Sequence, residues 1–148
     1  MTILGCDYST KSIHFAWRAC GWEWRRFDVQ EDLSEFILRI NMYLPEPTGN
    51  DHLFIEMPWT RYNPGTGMKL QRIATIVDVI ATQKGYDTHW VAIPSWRTKI
   101  FGKGKYPTKL AKELSMSIAK KETGKDLDDN TSDAICLALY GEAKLADL

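Results

Sequence analysis

Proline and glycine are scarce in this 148-residue chain, at 6 and 10 residues, and cysteine occurs only three times. So little Pro and Gly excludes collagen-like and low-complexity chains, and three cysteines cannot build a disulfide scaffold. Cys6, Cys20 and Cys136 show no CxxC spacing. Cys6 and Cys136 fall in apolar patterns and read as small buried hydrophobes of a reducing cytosol. No apolar run approaches the roughly 18 residues of a membrane span, and the N-terminus lacks the apolar stretch of a signal peptide. A cytoplasmic protein without a membrane partner is expected. His14, His52 and His89 stand far apart, without an HxxxH or Cys/His grouping, which speaks against a zinc site. Charge of one sign is also missing: 19 Lys+Arg meet 19 Asp+Glu, for a net of zero. On its face that excludes a nucleic-acid binder, which usually carries a basic excess.

The zero is a cancellation. Residues 58–125 hold 13 Lys+Arg against 4 Asp+Glu, and the rest of the chain holds 6 against 15. Such asymmetry fits a basic surface for a polyanion beside a separate acidic cluster. Composition is otherwise globular, with 44% hydrophobic and 26% charged residues. The length fits one domain over residues 1–148, large enough to bury a sizeable core.

Apolar runs and turn residues give the order of elements. Residues 2–8, 12–19 and 22–29 read as three strands joined by short turns, hence an antiparallel meander. Leu33, Phe36, Ile37, Ile40 and Leu44 follow helical spacing and are closed by Pro45 and Pro47. Residues 52–57 form a near-continuous apolar strand, of the kind covered on both faces. A loop over 59–67 precedes a helix over 68–82 bearing Ile73, Ile76, Val77 and Ile80. A strand over 88–93 ends at Pro94, and a basic glycine loop spans 99–106. A helix over 107–121 turns Leu110, Leu114 and Ile118 inward, and a last helix covers about 131–145. The order β-β-β-α-β-α-β-α-α predicts an α/β fold: a mixed five-stranded sheet, three antiparallel strands plus two parallel ones, flanked by helices.

Three carboxylates stand in apolar settings where charge is costly. Asp7 lies in the first strand, Glu56 follows Leu53-Phe54-Ile55, and Asp133 opens the run Ala134-Ile135-Cys136-Leu137-Ala138. An unpaired buried carboxylate costs several kcal/mol, roughly, so each needs a partner or a cation. Structural roles exist for each. Asp7 can cap the turn at Ser9-Thr10, Glu56 can pair with Arg61, and Asp133 can sit on a helix dipole. Together, carboxylates without matching histidines suit hard cations such as Mg²⁺ or Mn²⁺.

The ordered set resembles the ribonuclease H-like superfamily and, within it, the RuvC-type Holliday junction resolvases. The family opens with I-x-G-x-D and a turn, here Ile3-Leu4-Gly5-Cys6-Asp7 and Ser9-Thr10-Lys11. Its second acid ends the fourth strand, here Leu53-Phe54-Ile55-Glu56. Its third element, D-x-x-D-A-(L/I)-x-x-A, is matched by residues 130–138, from Asn130 through Asp133 to Ala138. A basic G-x-G loop, Gly102-Lys103-Gly104-Lys105, precedes a helix bearing Lys109. The resemblance covers nearly the whole chain, and the compact size points to a phage member.

That resemblance implies a ribonuclease H-like nuclease domain and a structure-selective endonuclease that nicks four-way DNA junctions in pairs. Asp7, Glu56, Asn130 and Asp133 become the catalytic set, with two Mg²⁺ or Mn²⁺ ions held by Asp7, Glu56, Asp129 and Asp133. Asn130 departs from the family acid. It is a weak carbonyl ligand, or is replaced by Asp129 one turn before Asp133, or is an inactivating substitution; either Asp129 or Asn130 also suits an N-cap. DNA contacts are expected from Arg97, Lys99, Lys103, Lys105 and Lys109, with Lys112, Lys120 and Lys121 extending the track. Trp59, three residues past Glu56, is expected to stack on an unpaired base, assisted by Tyr62, and Arg61 is expected to contact DNA. A homodimer through the helix at 68–82 would place two sites on opposed strands. Competing readings are another ribonuclease H-like nuclease cutting RNA–DNA hybrids or flaps, and a non-catalytic junction-binding protein. An actin-like ATPase would need a second such lobe.

Overall fold

A computed structural model describes residues 1–58 and 64–147. Ten elements follow one another: β1 (Ile3–Tyr8), β2 (Ser12–Arg18), β3 (Trp22–Asp28), α1 (Leu33–Tyr43), β4 (Asp51–Glu56), α2 (Pro64–Lys84), β5 (Tyr86–Val91), α3 (Ile93–Phe101), α4 (Thr108–Thr123) and α5 (Asp129–Ala146). The sheet order is β3-β2-β1-β4-β5. β1, β2 and β3 form the expected antiparallel meander, and β4 and β5 run parallel to β1.

β1 is the central strand, paired with β2 and β4, and both of its faces are covered. Leu4, Cys6 and Tyr8 join a core with Ile13, Phe15, Leu53 and Ile55 under α1 and α2. Ile3 and Gly5 point the other way, onto α5. This strict alternation is the period of two of a strand, and it places Asp7 on the α5 face. Cys6 and Cys136 are fully buried, as their apolar settings require.

Helix boundaries and faces depart from the sequence reading in three places. α2 begins at Pro64, so part of the expected loop over 59–67 is helical. Proline is well suited to a first turn, where its missing N–H costs no hydrogen bond. α3 was not expected at all: Pro94 ends the preceding strand but also opens a helix that reaches Phe101, inside the segment read as a loop. On α4 the buried face is Ala111, Ser115 and Ala119, whereas Leu110 is 41% exposed. Small residues there let α4 lie close to α5.

β1 and α5 approach each other closely at Gly5. A Cβ at Gly5 would collide with the Ala134 carbonyl oxygen and come within 2.6 Å of the Ala138 nitrogen. Both are backbone atoms, which cannot swing aside. Gly5 therefore fits where no other residue does, and the alanines of α5 are small for the same reason. Replacing Gly5 with Ala should destabilise the protein by about 1–3 kcal/mol or more in urea denaturation. Gly21→Ala, with open space around it, should stay within about 0.5 kcal/mol.

Candidate active site

Three elements deliver the carboxylates to one place. Asp7 lies near the C-terminal end of β1, Glu56 ends β4, and Asp133 is in the second turn of α5. β1 and β4 pair in register through Cys6 and Ile55, so the next step along each strand sets Asp7 beside Glu56. Gly5 admits α5 against the same face of β1, which brings Asp133 over them.

Burial and mutual repulsion dominate the electrostatics. Asp7 is 3% exposed. Its carboxyl is pushed well above the usual range, first by desolvation and then by the neighbouring Glu56 and Asp133. Glu56 is raised by desolvation, opposed by a hydrogen bond from Trp96 and by the Arg97 guanidinium. Asp133 is pushed up to about 7 by desolvation, opposed by the Ser115 hydroxyl and Arg97, with Glu56 and Asp129 raising it further. Three acids in one dry place form a donor set of oxygens short of positive charge. A hard divalent cation supplies that charge, so the residues fit Mg²⁺ or Mn²⁺.

Neighbouring side chains fix the orientation of these acids. Trp96 Nε1, on a fully buried ring of α3, donates to Glu56 Oε1 at 2.9 Å. Ser115 Oγ donates to Asp133 Oδ1 at 2.6 Å from α4. Tyr8 donates its hydroxyl proton to the Glu56 carbonyl at 2.8 Å. His14 is buried and bridges Ser12 and Thr131, at 2.9 and 3.0 Å, which pins β2 to the start of α5. None of Trp96, Ser115 and His14 was singled out from the sequence. Each acts through contacts between distant elements, and no local pattern marks them.

Several sequence readings change here. Asp7 does not cap the Ser9–Thr10 turn; the Ser9 hydroxyl does, accepting from the Lys11 and Ser12 N–H groups. The N-cap of α5 is Asp128, which accepts from the Thr131 N–H at 2.7 Å, so neither Asp129 nor Asn130 caps the helix. Asp129 pairs with Lys112 at 3.2 Å and lies near enough to raise Asp133. Asn130, beside it on α5, is half-buried. Arg97 stands beside the carboxylates, its guanidinium against the Trp96 ring and its buried Nε without a partner among the described residues. Lys99 is instead drawn to Asp147 at the far end of α5, 3.3 Å away. Lys103, Lys105 and Lys109 are exposed and form no ion pair among the described residues. Trp59, Arg61 and Tyr62 lie outside the described residues, as does any Glu56–Arg61 pair. The expectation that the histidines stand apart fails for two of them: His52 and His89 meet at 2.9 Å.

A mixed sheet of this order, with a central-strand Asp facing a carboxylate-bearing helix, defines the ribonuclease H-like fold. No family model and no curated protein matches the chain. Solved structures do. The Thermus thermophilus RuvC structure is 15% identical, over 99% of this chain and 97% of that one, with a TM-score of 0.66. T. thermophilus RuvC in complex with a Holliday junction substrate is 14% identical, over 99% and 96%, with a TM-score of 0.68. The chain thus has the RuvC-type fold over nearly its whole length.

The raised carboxylates predict an unusual pH dependence. Between their unfolded values, near 3.8 for Asp, and their raised folded values, the native state keeps protons that the unfolded chain has lost. Stability gained below that window is lost as pH rises through it. His14, lowered mainly by desolvation, acts in the opposite direction below about pH 6.5. From about pH 6.5 to 8, the melting temperature in EDTA should therefore fall, and Mg²⁺ should restore it. Asp7→Asn should flatten both effects.

Proposed function

We propose that the protein is a Holliday junction resolvase: a metal-dependent endodeoxyribonuclease that makes paired nicks in four-way DNA junctions in the cytoplasm. The observation that carries this reading is the convergence of Asp7, Glu56 and Asp133 at one end of a RuvC-type sheet. Asp7, Glu56 and Asp133, with Asp129 or Asn130 as the fourth group, would hold two Mg²⁺ or Mn²⁺ ions. When bound, such ions supply charge for the scissile phosphate and a water acidic enough to attack it.

The chain's own residues do the rest. Trp96 holds one oxygen of Glu56 and Ser115 one oxygen of Asp133, which fixes the rotation of both carboxylates that would hold the ions. Arg97 places a fixed positive charge beside the acids, where a phosphate's developing charge is met. Lys103, Lys105 and Lys109 are free to contact backbone phosphates beyond the site, and Gly102, at φ 95°, turns the chain out between them and Arg97. Trp59, Arg61 and Tyr62 lie three to six residues past Glu56 in sequence and are kept as contacts to DNA. Dimerisation through α2 is supported by Met68 and Val79, exposed at 72% and 50% on that helix. Two copies would set two sites on opposed strands.

Asn130 favours a second reading, a junction-binding protein without catalysis, because it stands where the resemblance expects an acid. One assay separates the two. A synthetic four-way junction, a linear duplex, a flap and an RNA–DNA hybrid are incubated with the protein in Mg²⁺ or EDTA. Mg²⁺-dependent, paired nicks confined to the junction are expected, reduced about 100-fold or more by Asp7→Asn with junction binding retained. Binding without nicking, unchanged by Asn130→Asp, would establish the second reading. Junction affinity should also fall steeply with salt, and Lys103→Ala with Lys105→Ala should reduce that slope.

A further inference from the structure

A second cluster of metal-ligating side chains lies at the other end of the sheet. β4 and β5 pair in parallel with His52 opposite Asp87 and Phe54 opposite His89. All four side chains therefore share the α5 face. His52 Nδ1 and His89 Nε2 are 2.9 Å apart, and Asp87 Oδ2 is 3.7 Å from each. The three donor atoms all lie within 4.8 Å of one another. Glu56 is four steps along β4 from His52, about 13 Å at ~3.3 Å per residue, so this cluster is distinct from the carboxylate site.

Geometry and donor chemistry fit a borderline divalent cation rather than Mg²⁺. Zn²⁺ takes imidazole nitrogen at about 2.0–2.1 Å and carboxylate oxygen at about 2.0–2.2 Å, and tetrahedral angles then set neighbouring donors about 3.3 Å apart. Reaching that spacing needs shifts of only a few tenths of an ångström from 2.9 and 3.7 Å. His89 stacks on the buried ring of Phe54, with centroids 4.5 Å apart and planes at 12°; His52 meets His89 edge to edge, centroids 5.2 Å apart across the 2.9 Å nitrogen–nitrogen contact, so a bound ion needs both rings to tilt toward it. Both facing nitrogens can be unprotonated if each ring carries its proton on the other nitrogen, the tautomer a metal-bound imidazole adopts. His52 is almost buried, while Asp87 is 70% exposed, leaving an approach from solvent and a fourth position for water.

We propose that His52, Asp87 and His89 form a binding site for a Zn²⁺-class divalent cation that clips the edge strand β5 to β4. An edge strand is held on one side only, and a bound ion adds a cross-strand link near the end of that pairing. β5 leads directly into α3, which carries Trp96 and Arg97 to the carboxylates.

The test uses the untagged full chain, with Co²⁺ as a visible probe and excess Mg²⁺ present to occupy oxygen sites. One Co²⁺ per chain should bind with a saturable visible absorption band that Zn²⁺ displaces. His89→Ala, and separately the exposed Asp87→Asn, should weaken Co²⁺ binding at least about tenfold, since even changes outside the ligand shell cost that much. Asp7→Asn should leave it unchanged. Zn²⁺ should raise the melting temperature of the wild type and not of His89→Ala. Co²⁺ binding that survives both substitutions, or that is absent below millimolar Co²⁺, would overturn the proposal; Asp87→Asn keeps the test valid if His89→Ala folds poorly.

Discussion

The backbone of α5 approaches β1 closely enough to exclude a single methyl group, and the rest of the structure depends on that contact. Gly5 leaves the space, and Ala134 and Ala138 fill it. The spacing from Gly5 to Asp7 is two residues, so both face α5. Asp133 directly precedes Ala134, so it arrives at the same level as Asp7. Register between β1 and β4 then adds Glu56. A packing constraint of the core is thus also the device that assembles the site.

Such an assembly is electrostatically unfavourable by itself. Burial raises Asp7, Glu56 and Asp133; Glu56 and Asp133 raise Asp7 further and Glu56 raises Asp133, while the hydrogen bond Asp7 shares with Glu56 lowers Glu56. Trp96, Ser115 and Arg97 offset part of the cost without neutralising the cluster. The remaining deficit of positive charge is what suits this cluster to a cation. Net charge conceals this division. Acids lie at the convergence of three elements, and the bases of the segment 97–109 lie on α3, the glycine loop and the start of α4, with Arg97 beside the acids and Lys99 at the far end of α5.

Much of this was legible in sequence because the relevant signals are local. Alternation and apolar runs gave all five strands, and the I-x-G-x-D order placed Asp7 on a covered strand. Where local signals carry two meanings, the reading failed. Pro94 both ends β5's segment and opens α3, and only the opening role reveals that helix. Leu110 and Leu114 outrank Ala111 and Ser115 in hydrophobicity, yet close packing on α5 demands the small residues. Trp96 and Ser115 reach the acids from elements 40 and 18 residues away in sequence. His52 and His89, 37 residues apart, meet only through the parallel pairing of β4 and β5.

The central claim is that Asp7, Glu56 and Asp133 form a cation site built by the Gly5–α5 contact. Anomalous scattering from Mn²⁺ in crystals of the wild type and of Asp7→Asn measures this directly. The account predicts Mn²⁺ density among these three carboxylates in the wild type and its loss in Asp7→Asn. Crystals saturated with Mn²⁺ that show no density there, or density indifferent to Asp7→Asn, would contradict it.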